Sequence, residues 1–460
     1  MLQNTEYRLR EYIKWLHRTS DFRRVINRRQ LDYTVKAKLI LMFTWLLLLA
    51  MYVAISLLMV WAVWSSSVLF AALAGLLFLI TPVFLAYLIT IPLWLLQVFV
   101  QKPIERKMIK RAKRILASHK GHRIAIAGSY GKTTAKEIIA SVLSEGKKVA
   151  FTPGNMNTPI GISRFVSTLR GDEEVLIFEL GEEKVGDVKR LCELVKPDVG
   201  VITGINEAHL SSFGTLENTA STIFELRDYL GDRTVYKNCE SPLVATRIDC
   251  TDEYAYGRHG TDGWKASGGK VDFHGTKFVA QKGKRKIMVH SGLLGLHQIG
   301  IITVAIAIAE SLGLTDHQIV SGISKTVPFE HRMSPTQLGG ATVIDDTYNG
   351  NSEGVHVGLD LLKSLPAKRR IYVTPGLVDQ GSKTKEVHVT IGKQIATVAD
   401  ITVLMKNSVT DYIVEGLKSG GYDGKLVVID NPLEFYTNLD HFVASGDIVL
   451  MQNDWPDNYA

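Results

Sequence analysis

Gly128-Ser129-Tyr130-Gly131-Lys132-Thr133-Thr134 stands between a short apolar run, residues 123–127, and a stretch with helical spacing, residues 132–144. A strand that turns through glycine into a helix constrains everything around it. The glycines let the backbone curl so that successive N–H groups face one point, at the positive end of the following helix. Phosphate oxygens suit that point, Lys132 adds a compact positive charge, and the Thr133 hydroxyl offers an oxygen to Mg²⁺. Ile126 occupies the first glycine position of the longer GxxxxGK[ST] loop, so this is a shortened form.

The same alternation continues downstream. Strands are predicted at residues 148–152, 175–180 and 199–203, with a helix near 185–195, and a second alternating set begins near residue 341. Its strands are predicted at 342–344, 370–374, 401–405, 426–429 and 448–451. Such alternation implies parallel sheets covered by helices, an α/β fold. Between the sets, residues 252–290 are Gly-rich and read as antiparallel strands and turns, followed by a helix of small residues at 299–312.

Upstream the chain changes character. Residues 39–100 contain no Asp, Glu, Lys, Arg or His, whereas residues 1–38 carry ten Lys/Arg against four Asp/Glu, and residues 101–121 carry eight against one. A bilayer core takes roughly 20 apolar residues per helix. The uncharged stretch therefore predicts a two-helix transmembrane hairpin, from 39 to 64 and from 69 to the region of Pro92, turning at Ser65-Ser66-Ser67 and kinked by Pro82 and Pro92. Basic flanks on both sides and an uncharged turn place both ends in the cytoplasm. The expected location is the cytoplasmic membrane, with two spans and the later domains in the cytoplasm. Residues 1–38 serve either as an amphipathic segment on anionic membrane lipid, through Arg23, Arg24, Arg28 and Arg29 with Trp15, Leu16 and Phe22, or as a topology signal alone.

The net charge of +7 is thus a property of these flanks, because residues 1–121 carry +13 and leave about −6 for the rest. No nucleic-acid partner is expected, since a nucleic-acid surface needs its basic residues on the folded domain. Cys192, Cys239 and Cys250 show neither metal-ligand spacing nor a CxxC pair, which argues against a disulfide framework and fits a reducing compartment.

Further segments follow the loop in a fixed order. They are Asn155-Met156-Asn157-Thr158-Pro159, Phe178-Glu179-Leu180-Gly181, Asn206-Glu207-Ala208-His209-Leu210, Phe329-Glu330-His331-Arg332-Met333 and Asp345-Asp346-Thr347-Tyr348-Asn349-Gly350-Asn351. Together with the G-S-x-G-K-T-T loop, this series resembles the Mur ligases over roughly residues 121–460, and the last run is similar to the DD-x-Y-N-x-N signature of the MurF branch.

The resemblance implies a chemistry and assigns roles. A carboxylate attacks the ATP γ-phosphate, and an amine then displaces phosphate from the acyl phosphate to form an amide. ATP would be held by Gly128, Ser129, Tyr130, Gly131, Lys132, Thr133, Thr134, Asn206, Arg332, Asp345 and Asp346. Mg²⁺ would be held by Thr133, Glu179 and His209, and Lys132, Glu179 and His209 would be catalytic. Asn155, Asn157, Thr158, Tyr348, Asn349 and Asn351 would face the substrate, a cell-wall precursor in UDP-muramoyl or lipid-linked form, with an amine such as D-Ala-D-Ala. The implied domains are a phosphate-loop Mur ligase central domain at 121–327 and a Rossmann-like C-terminal domain at 328–460, preceded by a basic linker at 101–120.

Three departures accompany the matches. Ile223 stands where many Mur ligases carry a carbamylated lysine that bridges two metals. The segment that helps hold adenine reads Gly295-Leu296-His297-Gln298-Ile299-Gly300-Ile301, without its two asparagines. Met451-Gln452-Asn453 begins the stretch that replaces a K-G-S. Besides a MurF-like peptide ligase, two readings stay open: another membrane-associated amide ligase or amidotransferase subunit, and a nucleotide-binding scaffold without catalysis.

Overall fold

The computed structural model describes residues 9–18, 33–206, 213–348, 350–378 and 380–453. His209 and Asn349, both expected in the site, lie outside the described residues, as do Phe22, Arg23, Arg24, Arg28 and Arg29. The chain divides into two compact units, residues 1–110 and 111–460.

The first unit is helical. An N-terminal helix, α1 (Leu9–Arg18), precedes the 30-residue helix α2 (Val35–Trp64), which starts where the Thr34 hydroxyl accepts the Ala37 N–H at 3.2 Å. The chain turns at residues 65–67, and α3 (Val68–Ile80) packs back along α2 through Trp61 on Phe70 and Tyr52 on Phe78. The predicted second helix, from 69 to about Pro92, is not continuous. It breaks into a 3₁₀ turn at Thr81–Phe84, where Pro82 has no N–H for the ladder and Thr81 Oγ1 donates to Leu77 O at 2.7 Å. Pro92 causes no such break. It sits in the first turn of Thr90–Leu96, where an N–H is not needed. The return leg runs on to residue 101, where Gln101 Oε1 accepts from Lys36 Nζ at the start of α2, 3.2 Å away. Residues 101–120, expected as a linker, are largely helical in α4 (Lys102–Ser118). Among the described residues, Val35–Trp64 and Ala86–Ser118 are long and apolar enough to cross a membrane by length and composition.

The second unit contains three sheets. The first has strand order β2-β3-β1-β4-β5-β6, all parallel: β1 (His122–Ala127), β2 (Val149–Phe151), β3 (Val175–Glu179), β4 (Val199–Ile202), β5 (Val235–Asn238) and β6 (Ala255–Tyr256). β1 and β3 are buried nearly end to end, which is why they read as unbroken apolar runs. Helices α5 (Lys132–Leu143), α6 (Pro159–Val166), α7 (Asp187–Val195) and α8 (Leu216–Leu230) connect these strands.

An antiparallel sheet follows, β7 (Gly260–Thr261), β8 (Trp264–Asp272), β9 (Gly275–Lys282) and β10 (Arg285–Ser291). Helix α9 (Gln298–Ser311) then threads the core, its Ile and Ala side chains buried on every face from residue 298 to 309. A helix enclosed all round has no polar face, so small and branched apolar residues replace the usual amphipathic stripe. α10 (Asp316–Ser324) closes the domain with a Thr315/Gln318 capping box.

The third sheet has the order β11-β12-β16-β13-β14-β15. Only β11 (Ser334–Leu338) pairs antiparallel, on β12 (Ala341–Asp346); β13 (Arg369–Thr374), β14 (Ile401–Met405), β15 (Lys425–Ile429) and β16 (Asp447–Gln452) are parallel. Helices α11 (Ser352–Ser364), α12 (Thr384–Ala396) and α13 (Thr410–Ser419) cover it. α12 and α13 touch backbone to backbone, since a Cβ on Gly392 would collide with the Ile413 carbonyl and one on Gly416 with that of Val389.

The cysteine expectation is corrected. Cys239 and Cys250 are disulfide-paired, with Cα atoms 5.7 Å apart, while Cys192 is free and buried. The turn after β5 brings back a residue eleven positions later, a closure that a search for CxxC spacing does not detect.

Candidate active site

The phosphate loop leaves β1 and enters α5 as predicted. Gly131, at φ 76°, precedes the helix in a left-handed conformation that glycine adopts without penalty. Gly128 has φ 150°, and a Cβ there would run into Thr203 at the end of β4. The neighbouring strand grips the loop: Ser129 N donates to Gly204 O at 2.7 Å, and Thr203 Oγ1 bonds the carbonyl of Tyr130. Burial pushes the Tyr130 hydroxyl up to about 12, so it stays protonated at neutral pH.

Glu179 ends β3 beside this loop. Thr133 Oγ1 lies 3.0 Å from its Oε2, and Asn157 Nδ2 donates to its Oε1 at 3.2 Å. The backbone N–H of Glu179 is held by Thr152 Oγ1 at 3.0 Å. Lys136, one turn after Lys132 and fully buried, sits 3.4 Å from Glu179 Oε2 and donates to Gly154 O at 2.9 Å. Lys132 itself contacts Gly128 O and both oxygens of Glu182, each 2.9 Å away.

The loop residues 129–134, Asn157 and Glu179 floor a cleft of about 480 Å³ whose opposite wall comes from the C-terminal domain. Of the predicted residues, Ser129 to Thr134, Asn155, Asn157, Glu179, Arg332, Asp346, Tyr348 and Asn351 line it. The Arg332 guanidinium lies 4.8 Å from the centre of the Tyr348 ring. Asp346 accepts from Met333 N at 3.2 Å and from Gln452 Nε2 at 2.7 Å, and burial raises its carboxyl to about 6.

Four predicted residues do not line the cleft. Gly128 shapes the loop from behind, and Asn206 is buried just past β4. Thr158 is exposed, and its hydroxyl caps α6 by accepting Gly161 N at 3.2 Å. Asp345 binds His331 Nδ1 at 2.7 Å and the Thr347 hydroxyl at 2.7 Å, because adjacent strand residues point to opposite faces and Asp346 takes the inward one. Asn351 caps α11 through Gly354 N at 2.9 Å while also reaching the cleft.

Several lining residues carry no motif signal: Asn238, Glu240, Tyr256 and Arg258; Gln298, from the segment compared with the adenine-holding one, lines the cleft beside them. His297 is buried among them, 2.8 Å from Gln298 Nε2, and burial lowers its imidazole to about 4. Ile223, which the sequence comparison set against the family's bridging lysine, is fully buried in α8. Among the described residues, no group of three His, Cys, Asp or Glu is arranged to hold a metal. The Thr133–Glu179 oxygen pair nevertheless suits a hard cation that keeps most of its remaining contacts to phosphate and water.

A parallel-sheet domain with a phosphate loop at its strand ends, facing a second parallel-sheet domain across one cleft, defines a two-domain nucleotide-binding α/β protein. The Mur ligase middle domain matches residues 126–309, the Mur ligase glutamate ligase domain matches residues 331–452, and the chain belongs to the Mur ligase family. It is 30% identical over 297 residues to the UDP-N-acetylmuramoyl-tripeptide–D-alanyl-D-alanine ligase of Synechocystis, covering 64% of each chain. To the enzyme of that name from Escherichia coli it is 26% identical over 280 residues, covering 59% of this chain and 61% of that one. It thus spans under two thirds of the length of these curated relatives. Its fold is like that of MurF from Acinetobacter baumannii, at TM-score 0.66 and 22% identity over 76% of this chain and 77% of that one. It is also like MurF from Thermotoga maritima in complex with ADP, at TM-score 0.66 and 23% identity over 76% and 80%.

Proposed function

We propose that this chain is an ATP-dependent, ADP-forming amide-bond ligase of the MurF type, acting through an acyl phosphate in peptidoglycan-precursor synthesis. The observation that carries this reading is the Thr133–Glu179 pair, set beside the phosphate loop and facing Arg332 and Asp346 across one cleft. The N–H groups of the loop and Lys132 bind the β and γ phosphates and stabilise the charge that develops during transfer. Thr133 and Glu179 would hold Mg²⁺, which would supply charge neutralisation at the phosphates. Arg332 and Asp346 approach from the second domain, so that closing the cleft completes the nucleotide contacts and keeps water from the acyl phosphate.

The relatives' names supply the substrates of this proposal: UDP-muramoyl tripeptide as the carboxylate and D-Ala-D-Ala as the amine. The test is ADP and phosphate release by the detergent-solubilised chain, with each substrate alone and with both, beside Lys132→Ala. Release that needs both substrates and disappears in the variant supports the proposal. Nucleotide binding without release, on UDP-linked and lipid-linked acceptors alike, would replace it with a scaffold role.

We also propose that the chain is anchored in the cytoplasmic membrane through its first unit. Support comes from α2, where Trp45, Leu49, Leu57, Val60 and Trp64 are exposed apolar side chains on a helix without a charge from residue 39 onward.

A further inference from the structure

Glu182 is a buried charge for which the mechanism above has no use. It lies three residues past Glu179, its side chain 3% exposed, and does not line the cleft. The backbone holds it there: Leu180 N donates to Ile126 O at 2.8 Å and Gly181 N to Asn157 O at 2.9 Å, tying the segment after β3 to β1 and to the Asn157 loop. A side chain on Gly181 would collide with Asn157, so the segment is packed closely enough to fix the next residue. Both carboxylate oxygens of Glu182 accept from Lys132 Nζ at 2.9 Å, and the Gly128 carbonyl is the third contact of that ammonium.

An ammonium has three N–H donors. With Glu182 and Gly128 in place, Lys132 has none left for a phosphate oxygen. The loop that should receive a polyanion therefore already holds an anion of its own.

We propose that Glu182 is a positioning residue that stands in for nucleotide phosphate on Lys132, so that nucleotide binding exchanges one anion for another and Glu182 sets its affinity. The proposal rests on the reading of residues 128–134 as a phosphate loop. Burial favours the uncharged form of Glu182 and raises its carboxyl above the usual range, with Lys132 opposing that shift and Glu179 adding to it. The Lys132 pairing is thus what makes a charged Glu182 tolerable, and a phosphate that takes Lys132 leaves the carboxylate buried without its counter-ion. Nearby triphosphate repels it further. Both effects oppose nucleotide binding, and both vanish when the carboxylate is replaced by a neutral group.

The test is the dissociation constant of Mg-ADP, measured by calorimetry on the full detergent-solubilised chain for wild type, Glu182→Gln, Glu182→Ala, Glu182→Asp and Lys132→Ala. Glu182→Gln and Glu182→Ala are expected to bind about tenfold more tightly than wild type, and Glu182→Asp, which keeps the charge, to stay close to it. A merely structural role would weaken binding instead. Unchanged or weaker binding in whichever of the two neutral variants melts like wild type overturns the proposal while leaving the phosphate-loop reading intact, provided Lys132→Ala loses affinity. Absence of Mg-ADP binding by wild type removes both.

Discussion

Thr133 Oγ1 and Glu179 Oε2 lie 3.0 Å apart, joining the first turn of α5 to the last residue of β3. Two oxygens from different elements meet there because β1 and β3 are neighbours in register, Ile126 opposite Glu179. Replacing Thr133 with Ala, or Glu179 with Gln, should lower kcat for ADP release by about 10²- to 10³-fold. The melting temperature should move little, which separates lost chemistry from lost folding. Near-normal turnover in Glu179→Gln would remove this pair from the mechanism.

His297 gives the fold a pH signature. Burial lowers its imidazole to about 4 from the ordinary 6.5. Between those values the unfolded chain binds a proton that the folded chain does not. The stabilisation is therefore complete above pH 6.5 and is lost as pH falls to about 4, amounting to roughly 3 kcal/mol. Glu182 and Asp346, both raised by burial, act in the opposite sense, gaining stability as pH falls. Comparison with His297→Asn isolates the histidine: wild-type melting temperature should drop more steeply than the variant's from pH 6.5 to 4. Parallel curves would contradict it.

The contact between α12 and α13 allows a direct stability test. Gly416→Val adds atoms where even a Cβ meets the Val389 carbonyl, and should cost about 3 kcal/mol through overpacking and helix displacement. Gly421→Ala, where a Cβ meets nothing within 4 Å although φ is 72°, should cost about 1 kcal/mol from backbone strain alone. Urea unfolding of the two variants against wild type would rank them. Equal losses would show that helix spacing does not limit this domain.

Expression of the full chain tests the membrane proposal. It should sediment with membranes and resist alkaline carbonate, which strips peripheral proteins but leaves spanning helices in place. Release by carbonate would reduce α2 and its return leg to a surface attachment or a soluble hairpin.

Much of this fold was legible in the sequence, for a physical reason. Parallel strands buried on both faces must be apolar throughout, so β1, β3, β4, β13, β14 and β16 announced themselves as short apolar runs. The phosphate loop was legible because its glycines answer to backbone geometry, which spacing records. Side-chain partners were not, because a partner is chosen in three dimensions. Thr158 and Asp345 carried motif positions yet turned to a helix cap and to His331, while Glu182 came to matter through burial that no local pattern encodes. The same limit explains the return leg, where Pro82 was read as a kink and proved a full interruption. It also explains Cys239 and Cys250, which are paired by a turn and not by their spacing.

In the third sheet, β16 follows that sheet's other strands in the chain, yet it lies between β12 and β13. Its Gln452 bonds both Asp346 and the Gly354 carbonyl, at 2.7 and 2.8 Å. A nascent chain still short of β16 carries a C-terminal sheet split down its middle, with β12 and β13 each offering an unpaired edge. The C-terminal wall of the cleft is therefore withheld until translation has passed residue 452, and a ribosome stalled before that point leaves a chain whose finished phosphate loop faces a half-built partner.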